Sequence, residues 1–168
     1  MVSSYSIFKL PIYLLKKKEK TDVLKSTWET TKKFIPKVET SKYIKVIKVY
    51  DGDTITVVAK PYKEQEVCRF SIRLYGLDTP EIKSKKEEEK EAGLFVRDKV
   101  SELILNKLVK LKIAGSDKYG RLLANVWVDD MNINEWLLRN EYAMAYDGGT
   151  KQEMTIEFLE KILSKTRK

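Results

Sequence analysis

Alternation of apolar and polar side chains dominates the middle of the chain. Residues 67–76 place Cys68, Phe70, Ile72 and Leu74 on one face and Val67, Arg69, Ser71, Arg73 and Tyr75 on the other, the two-residue period of a half-buried strand. Cys68 is thereby expected to be a small core residue. Residues 43–50 and 54–59, rich in Ile, Val and Thr, predict two earlier strands. They are joined by Asp51-Gly-Asp53, a hairpin signal in which glycine accepts positive φ. Residues 108–114 and 122–128 predict a fourth and a fifth strand, linked by a loop at 115–121 in which Gly120 takes a left-handed conformation.

Elsewhere the period lengthens. Ala92, Phe95, Val96, Val100, Leu103 and Ile104 recur at helical spacing up to about Asn106, after a nearly all-charged stretch at 82–90 that reads as a solvated loop. Asn132 with Glu135 forms a capping-box pattern ahead of Trp136, Leu137 and Leu138. Thr150 with Glu153 repeats it ahead of Met154, Phe158, Leu159, Ile162 and Leu163. Three strands, a helix, two strands and two helices are the order of an α+β fold: a five-stranded Greek-key β-barrel of the OB type with three helices. Such a barrel binds nucleic acids or sugars in many settings, so the fold alone gives no function.

Residues 1–42 stand outside this pattern as a basic, partly apolar N-terminal extension, with the compact domain at 43–168. The apolar run at 7–15 is too short to span a bilayer, its lysines follow rather than precede it, and no small-residue cleavage site comes after, so it does not read as a secretory signal. That favours an intracellular site over a secreted or membrane-associated one. Phe8, Tyr13 and Leu14 are expected to pack the arm on the domain. The sharper reading is a weak tether to a membrane or to nucleic acid. Asp22 is expected to cap a helix through Phe34, with Val23, Leu24, Trp28, Thr31 and Ile35 on one side, and 37–42 reads as a polar linker.

Composition narrows the chemistry. There is no histidine and one cysteine, which removes His-based nucleophilic triads, the usual zinc sites and an intramolecular disulfide. Any proton transfer falls to carboxylates, Lys, Tyr or hard-metal water. The net charge of +8 favours polyanionic partners. Most of it lies in the extension, where ten lysines face four acidic residues.

Candidate chemistry gathers where strands end. Arg73-Leu-Tyr-Gly-Leu-Asp-Thr-Pro-Glu81 closes a strand on Asp78, Thr79 and Glu81, with Arg73 on the polar face. Asp51 and Asp53 give a turn one more carboxylate than it needs, and several carboxylate oxygens are what a hard divalent cation requires. Lys118, Tyr119 and Arg121 put two cations and a ring at one loop tip, a combination that grips phosphates and stacks bases.

Asp51-Gly-Asp-Thr54, Arg73 to Glu81, Asp117-Lys-Tyr-Gly-Arg121 and Met131-Asn-Ile-Asn-Glu135, in this order and spacing, closely resemble the staphylococcal nuclease-like (thermonuclease) domain family across residues 43–147 and into the C-terminal helix. The resemblance implies a Ca²⁺-dependent nuclease that hydrolyses DNA and RNA with little sequence specificity. It implies Asp53, Asp78 and the Thr79 carbonyl as metal ligands, with Asp51 in the outer shell. Glu81 would position or deprotonate the attacking water, and Arg73 and Arg121 would neutralise the phosphate. Lys118, Tyr119 and Tyr146 would hold the nucleotide; a second aromatic expected two positions after Tyr146 is replaced by Gly148. By side-chain chemistry alone Mg²⁺ or Mn²⁺ also suits an oxygen-only site, and the choice of Ca²⁺ comes from the resemblance. The alternative is a catalytically silent OB-type module that binds nucleic acid or a protein; no obligate protein partner is implied.

Overall fold

The computed structural model describes residues 12–27, 30, 31, 33–63, 66–150 and 152–167. The chain divides into two compact units, Met1–Phe34 and Ile35–Lys168. In the first, helix α1 spans Ile12–Leu24. The helix expected from Asp22 to Phe34 is thus replaced by one that ends where that one was to begin. The Leu- and Lys-rich stretch at 14–20 has the higher helix propensity. The threonines beyond it spend their hydroxyls locally: Thr30 Oγ1 accepts from the Thr27 N–H at 2.8 Å, and Thr31 Oγ1 donates to the Thr27 carbonyl at 2.7 Å. Phe8 and Trp28, and the side chains of Tyr13 and Leu14, lie outside the described residues. No helix among the described residues is long and apolar enough to cross a membrane.

The second unit opens before the expected boundary at Tyr43. Val38, in a 3-10 turn at Val38–Thr40, is fully buried in the core, so the segment that reads as a polar linker belongs to the domain. Strands β1 (Ile44–Val49), β2 (Thr54–Ala59) and β3 (Cys68–Leu74) form an antiparallel meander. After the short β4 (Leu77–Asp78) and helix α2 (Glu87–Ile104), strands β5 (Lys110–Ser116) and β6 (Leu122–Val128) return to the sheet. Two-residue β7 (Met131–Asn132) pairs β6, α3 (Ile133–Arg139) follows, β8 (Met144–Ala145) pairs β4, and α4 spans Ile156–Leu163.

The sheet runs β1-β2-β3-β6-β5, with β3 parallel to β6 and the other neighbours antiparallel. It curls so that β1 meets the chain entering β5: Val46 N–H donates to Lys107 O, Asn106 N–H to Val46 O, and Val109 N–H to Ile44 O, at 2.9–3.0 Å. This is the OB-type path. Among the described residues it carries eight strands and four helices, not five and three, because three strands are two-residue pairings and one helix lies in the extension.

Helix α2 begins inside the charged stretch that reads as a loop. Glu87, Glu88 and Glu89 occupy its first turn, where carboxylates complement the helix dipole. Ala92, Val96, Val100 and Ile104 form its buried face. Asn132 caps α3 by accepting from the Asn134 and Glu135 N–H groups, as its pattern predicts. The cap of α4 is Thr155, not Thr150: its hydroxyl accepts from the Phe158 N–H at 3.2 Å, while Glu153 is paired with Lys86. Cys68 is half-buried at the far end of β3 rather than central to the core.

Buried Asn134 ties the layers together. Its amide nitrogen donates to the carbonyls of Tyr75 (2.9 Å) and Ala124 (3.2 Å), and its oxygen accepts from the Val126 N–H (3.0 Å). One side chain therefore fixes the chain just beyond β3 against β6. Asn134→Leu removes a partner from three backbone groups, two of them buried, and is expected to lower unfolding stability by about 2 kcal/mol in urea denaturation.

Candidate active site

The turn at 51–53 is pinned to its neighbours by main-chain bonds, Tyr50 N–H to Thr54 O and Leu74 N–H to Asp53 O, both 2.8 Å. Gly52 does not hold a left-handed φ here. Its requirement is space: a Cβ at this position would lie 2.7 Å from Val96 Cγ1 and 2.8 Å from Thr79 Oγ1. Gly93 plays the same part on α2, where a Cβ would lie 2.7 Å from the Pro80 carbonyl. Two missing side chains thus let α2 press both acidic turns together.

Between those turns sits Arg73. Its Nη1 donates to Asp53 Oδ1 at 2.6 Å and its Nη2 to Asp78 Oδ1 at 2.7 Å. Asp53 is only 2% exposed; its Oδ1 also accepts from the Thr54 hydroxyl (2.9 Å) and its Oδ2 from the Thr79 N–H (3.4 Å). Asp51 accepts from the Asp53 N–H at 3.2 Å. The Thr54 hydroxyl accepts from Arg121 Nη1 at 3.3 Å, and Arg121 Nε donates to Asp117 Oδ2 at 2.6 Å. A single bonded chain thus runs Asp117, Arg121, Thr54, Asp53, Arg73, Asp78, joining three separated motifs.

These groups face a cleft of about 670 Å³ lined by Asp51, Arg73, Asp78, Glu81, Lys118, Tyr119, Arg121 and Tyr146. Asp53 and Thr79 lie beneath its floor, buried. The pairing of β8 with β4 sets Tyr146 against Gly76 at the edge of the cleft; its N–H donates to the Gly76 carbonyl and its hydroxyl to the Gly149 carbonyl. Tyr119 is 74% exposed, with Lys118 Nζ and Arg121 Cζ at 5.1 and 5.7 Å from its ring centre. All ten expected site residues therefore meet in one place. Sequence reasoning missed four contributors. Thr54 links Arg121 to Asp53, Asp117 orients Arg121, Tyr50 walls the cleft beneath Lys83, and Glu89 accepts from the Glu81 N–H and the Ser84 hydroxyl. The spacing of Asp117 to Arg121, four residues across a glycine turn, is the one signal that could have marked its partner.

Electrostatically the floor is short of positive charge. Burial, then the neighbouring Asp51 carboxylate, push the Asp53 pKa up to about 7, against the pull of Arg73 and the Thr54 hydroxyl. Burial likewise raises Asp51, helped by the charge of Glu81. Burial works against Arg73, but Asp53 and Asp78 hold it above its usual range. On Asp117, burial is outweighed by the hydrogen bonds from Arg121, which keep its carboxyl below the usual range. Three buried carboxylates share one guanidinium, and every donor on the floor is a hard oxygen, so the residues fit a divalent cation of the Ca²⁺ or Mg²⁺ type. As described, Asp53 and Asp78 each turn an oxygen to Arg73, and no group of three or more acidic or thiol side chains among the described residues is spaced to hold a metal ion.

The chain is similar to known proteins. Residues 71–168 match the family model described as staphylococcal nuclease homologue. A thermonuclease of Staphylococcus hyicus is 34% identical over 128 residues, covering 74% of this chain and 72% of that protein. An uncharacterized endonuclease of Escherichia coli is 33% identical over 104 residues (61% of this chain, 60% of that protein), and one of Haemophilus influenzae is 34% identical over 102 residues (61% and 51%). The chain thus spans between half and three-quarters of the length of these relatives.

The raised carboxyl has a measurable sign. Between the ordinary aspartate pKa of about 4 and about 7, native Asp53 keeps a proton that the unfolded chain has lost, so its contribution to stability falls as pH rises. In chelator, Asp53→Asn is expected to flatten the decline in unfolding free energy between about pH 5 and pH 8. An unchanged slope would show that Asp53 titrates normally.

Proposed function

The chain belongs to the family of staphylococcal nuclease homologues, and on that premise we propose that it hydrolyses the phosphodiester bonds of DNA and RNA with little sequence specificity, with a bound divalent cation, Ca²⁺ by preference. The observation that carries this reading is the convergence of Arg73, Arg121, Glu81 and the buried aspartates on one open cleft. A silent binding module has no use for three buried carboxylates at the floor of this cleft, because each costs desolvation.

Asp53, Asp78 and the Thr79 carbonyl would hold the cation, with Asp51 orienting the Asp53 backbone. When bound, Ca²⁺ supplies counter-charge that one guanidinium leaves incomplete. Arg73 commits two of its five donors to the aspartates, which fixes its plane and leaves the others for phosphate oxygens. Arg121, held by Asp117 and Thr54, donates from the neighbouring row of the same face. Glu81 orients a water and takes its proton as the water oxygen bonds to phosphorus. One P–O ester bond breaks, the leaving alkoxide takes a proton from solvent water, and Glu81 returns its proton to solvent. Preorganised donors aimed at the developing charge are the main source of acceleration in such a scheme. Lys118, Tyr119 and Tyr146 would hold the nucleotide, Tyr119 by stacking, a contact indifferent to base identity. The basic extension, residues 1–42, enters only through its charge, which would favour loose association with polyanions.

Purified protein incubated with plasmid DNA and single-stranded RNA is expected to cut both with Ca²⁺ and neither with chelator; no cleavage with Ca²⁺, Mg²⁺ or Mn²⁺ overturns the proposal. Arg121→Ala and Glu81→Gln are each expected to lower kcat by about 10² to 10³ with KM little changed. Arg73→Ala is expected to lose kcat and also stability, by roughly 3–5 kcal/mol, because it strands two buried carboxylates. A loss of kcat without loss of stability would separate Arg73 from the aspartates.

A further inference from the structure

A second groove lies at the other end of the β1–β2 hairpin. The turn at 51–53 forms one end of that hairpin and the active-site floor; Tyr43 and Lys60 flank the other. Six residues of β2 separate the two ends, about 20 Å at the usual rise per residue. The groove encloses about 710 Å³ and is lined by Lys42, Lys45, Lys60 and Lys63 around Tyr43 and Val67, with no acidic side chain among its described lining residues. Tyr43 is 61% exposed, and Lys42 Nζ lies 5.1 Å from its ring centre.

The outer face of the sheet connects the two places. Register sets Arg73 beside Thr54 at the active site, then Lys48, Thr56 and Ser71 in one row, then Lys45, Val58 and Arg69 in the next, which borders the groove. Strict alternation would not give this. Lys45 and Lys48 are three apart and would point to opposite faces, but the pairing slips between Val46 and Lys48. That bulge keeps Val46 in the core and turns both lysines outward, re-aiming a side chain as bulges do. The result is a cationic track with an aromatic ring at its far end, the combination that follows a phosphodiester backbone and stacks a base without reading it.

We propose that the Lys42, Lys45, Lys60 and Lys63 groove is a second polynucleotide-binding site, which holds the backbone of the strand being cut about 20 Å away. The assignment rests on the nuclease reading of the cleft. Charge complementarity selects the occupant: four lysines in one lining suit a chain of phosphates, and the open ring of Tyr43 suits a base. The function is to hold long substrates at two points, so that they dwell at the cleft while short ones do not.

The test replaces Lys42, Lys45, Lys60 and Lys63 together by alanine and compares a long single strand with a dinucleotide, which cannot reach the groove. The proposal expects KM for the long strand to rise about tenfold or more and the log–log salt dependence of its kcat/KM to weaken by about 3 in slope, since each neutralised phosphate of a single strand contributes about 0.7. Its kcat, and kcat/KM for the dinucleotide, stay as in the wild type, which also shows that the variant is folded. Unchanged KM for the long strand, an equal loss on both substrates, or a loss confined to binding of anionic phospholipid vesicles overturns it. If the wild type cuts neither substrate the nuclease reading has failed, and the groove is then judged by fluorescence anisotropy of the labelled long strand. Weaker binding by the variant supports the groove; equal binding overturns it.

Discussion

The two-pronged ion pair of Arg73 with Asp53 and Asp78 is the contact on which the rest of the site depends. It joins the turn after β1 to the end of β4 through a rigid planar fork, so the two carboxylates are held together. A buried charge network of this kind is poor evidence for stability, since desolvation offsets most of its attraction. Here it is also incomplete, because Asp51 adds a third carboxylate that the same guanidinium must answer. The raised Asp53 carboxyl is the physical expression of that shortfall. A site that leaves negative charge under-compensated at its floor is prepared for a cation, and pays in stability for being ready.

The neighbouring packing keeps that unfavourable arrangement in place. Without side chains at Gly52 and Gly93, α2 seats Val96 against the first acidic turn and its own backbone against Pro80. Glu89, one turn earlier on α2, accepts from the Glu81 N–H and the Ser84 hydroxyl, so the same helix also fixes the segment bearing the candidate base. Asn134 holds the chain beyond β3 from the opposite side. Core, helix and buried amide together supply the free energy that the acidic floor consumes, an instance of strain at a site held by over-determined surroundings.

Much of this was legible in the sequence where the physics is local. Period-two alternation located the sheet's main strands, and the excess of carboxylates at two turns located the floor. What escaped depended on contacts between distant elements. Gly52 looked like a φ requirement and is a packing requirement, which only the approach of Val96 reveals. The charged run at 82–90 looked like a loop because its helix has no side-chain cap; its last four residues are helical through the dipole and through the packing of residues that follow. Thr150 and Thr155 both offer a hydroxyl near the start of α4, and tertiary placement chose the second. Val38 is one apolar residue in a polar stretch, too little to extend a domain boundary by pattern alone.

The meeting of the two arginines is the deepest of these cases. Arg73 lies on β3 and Arg121 immediately precedes β6, with a long crossover between them, and alternation within either strand is silent about how the two align. Parallel pairing sets Ile72 beside Leu122, both buried, and so Arg121 falls level with Ser71, on the same outward face as Arg73 and one row away. At about 3.3 Å of rise per residue the two arginines stand about 7 Å apart along the sheet. A one-residue slip would send Arg121 into the core and Leu122 into the cleft. The apolar partners Ile72 and Leu122 thus enforce the register, and hydrophobic burial, rather than any attraction between the charged groups, is what brings both guanidinium groups to one cleft.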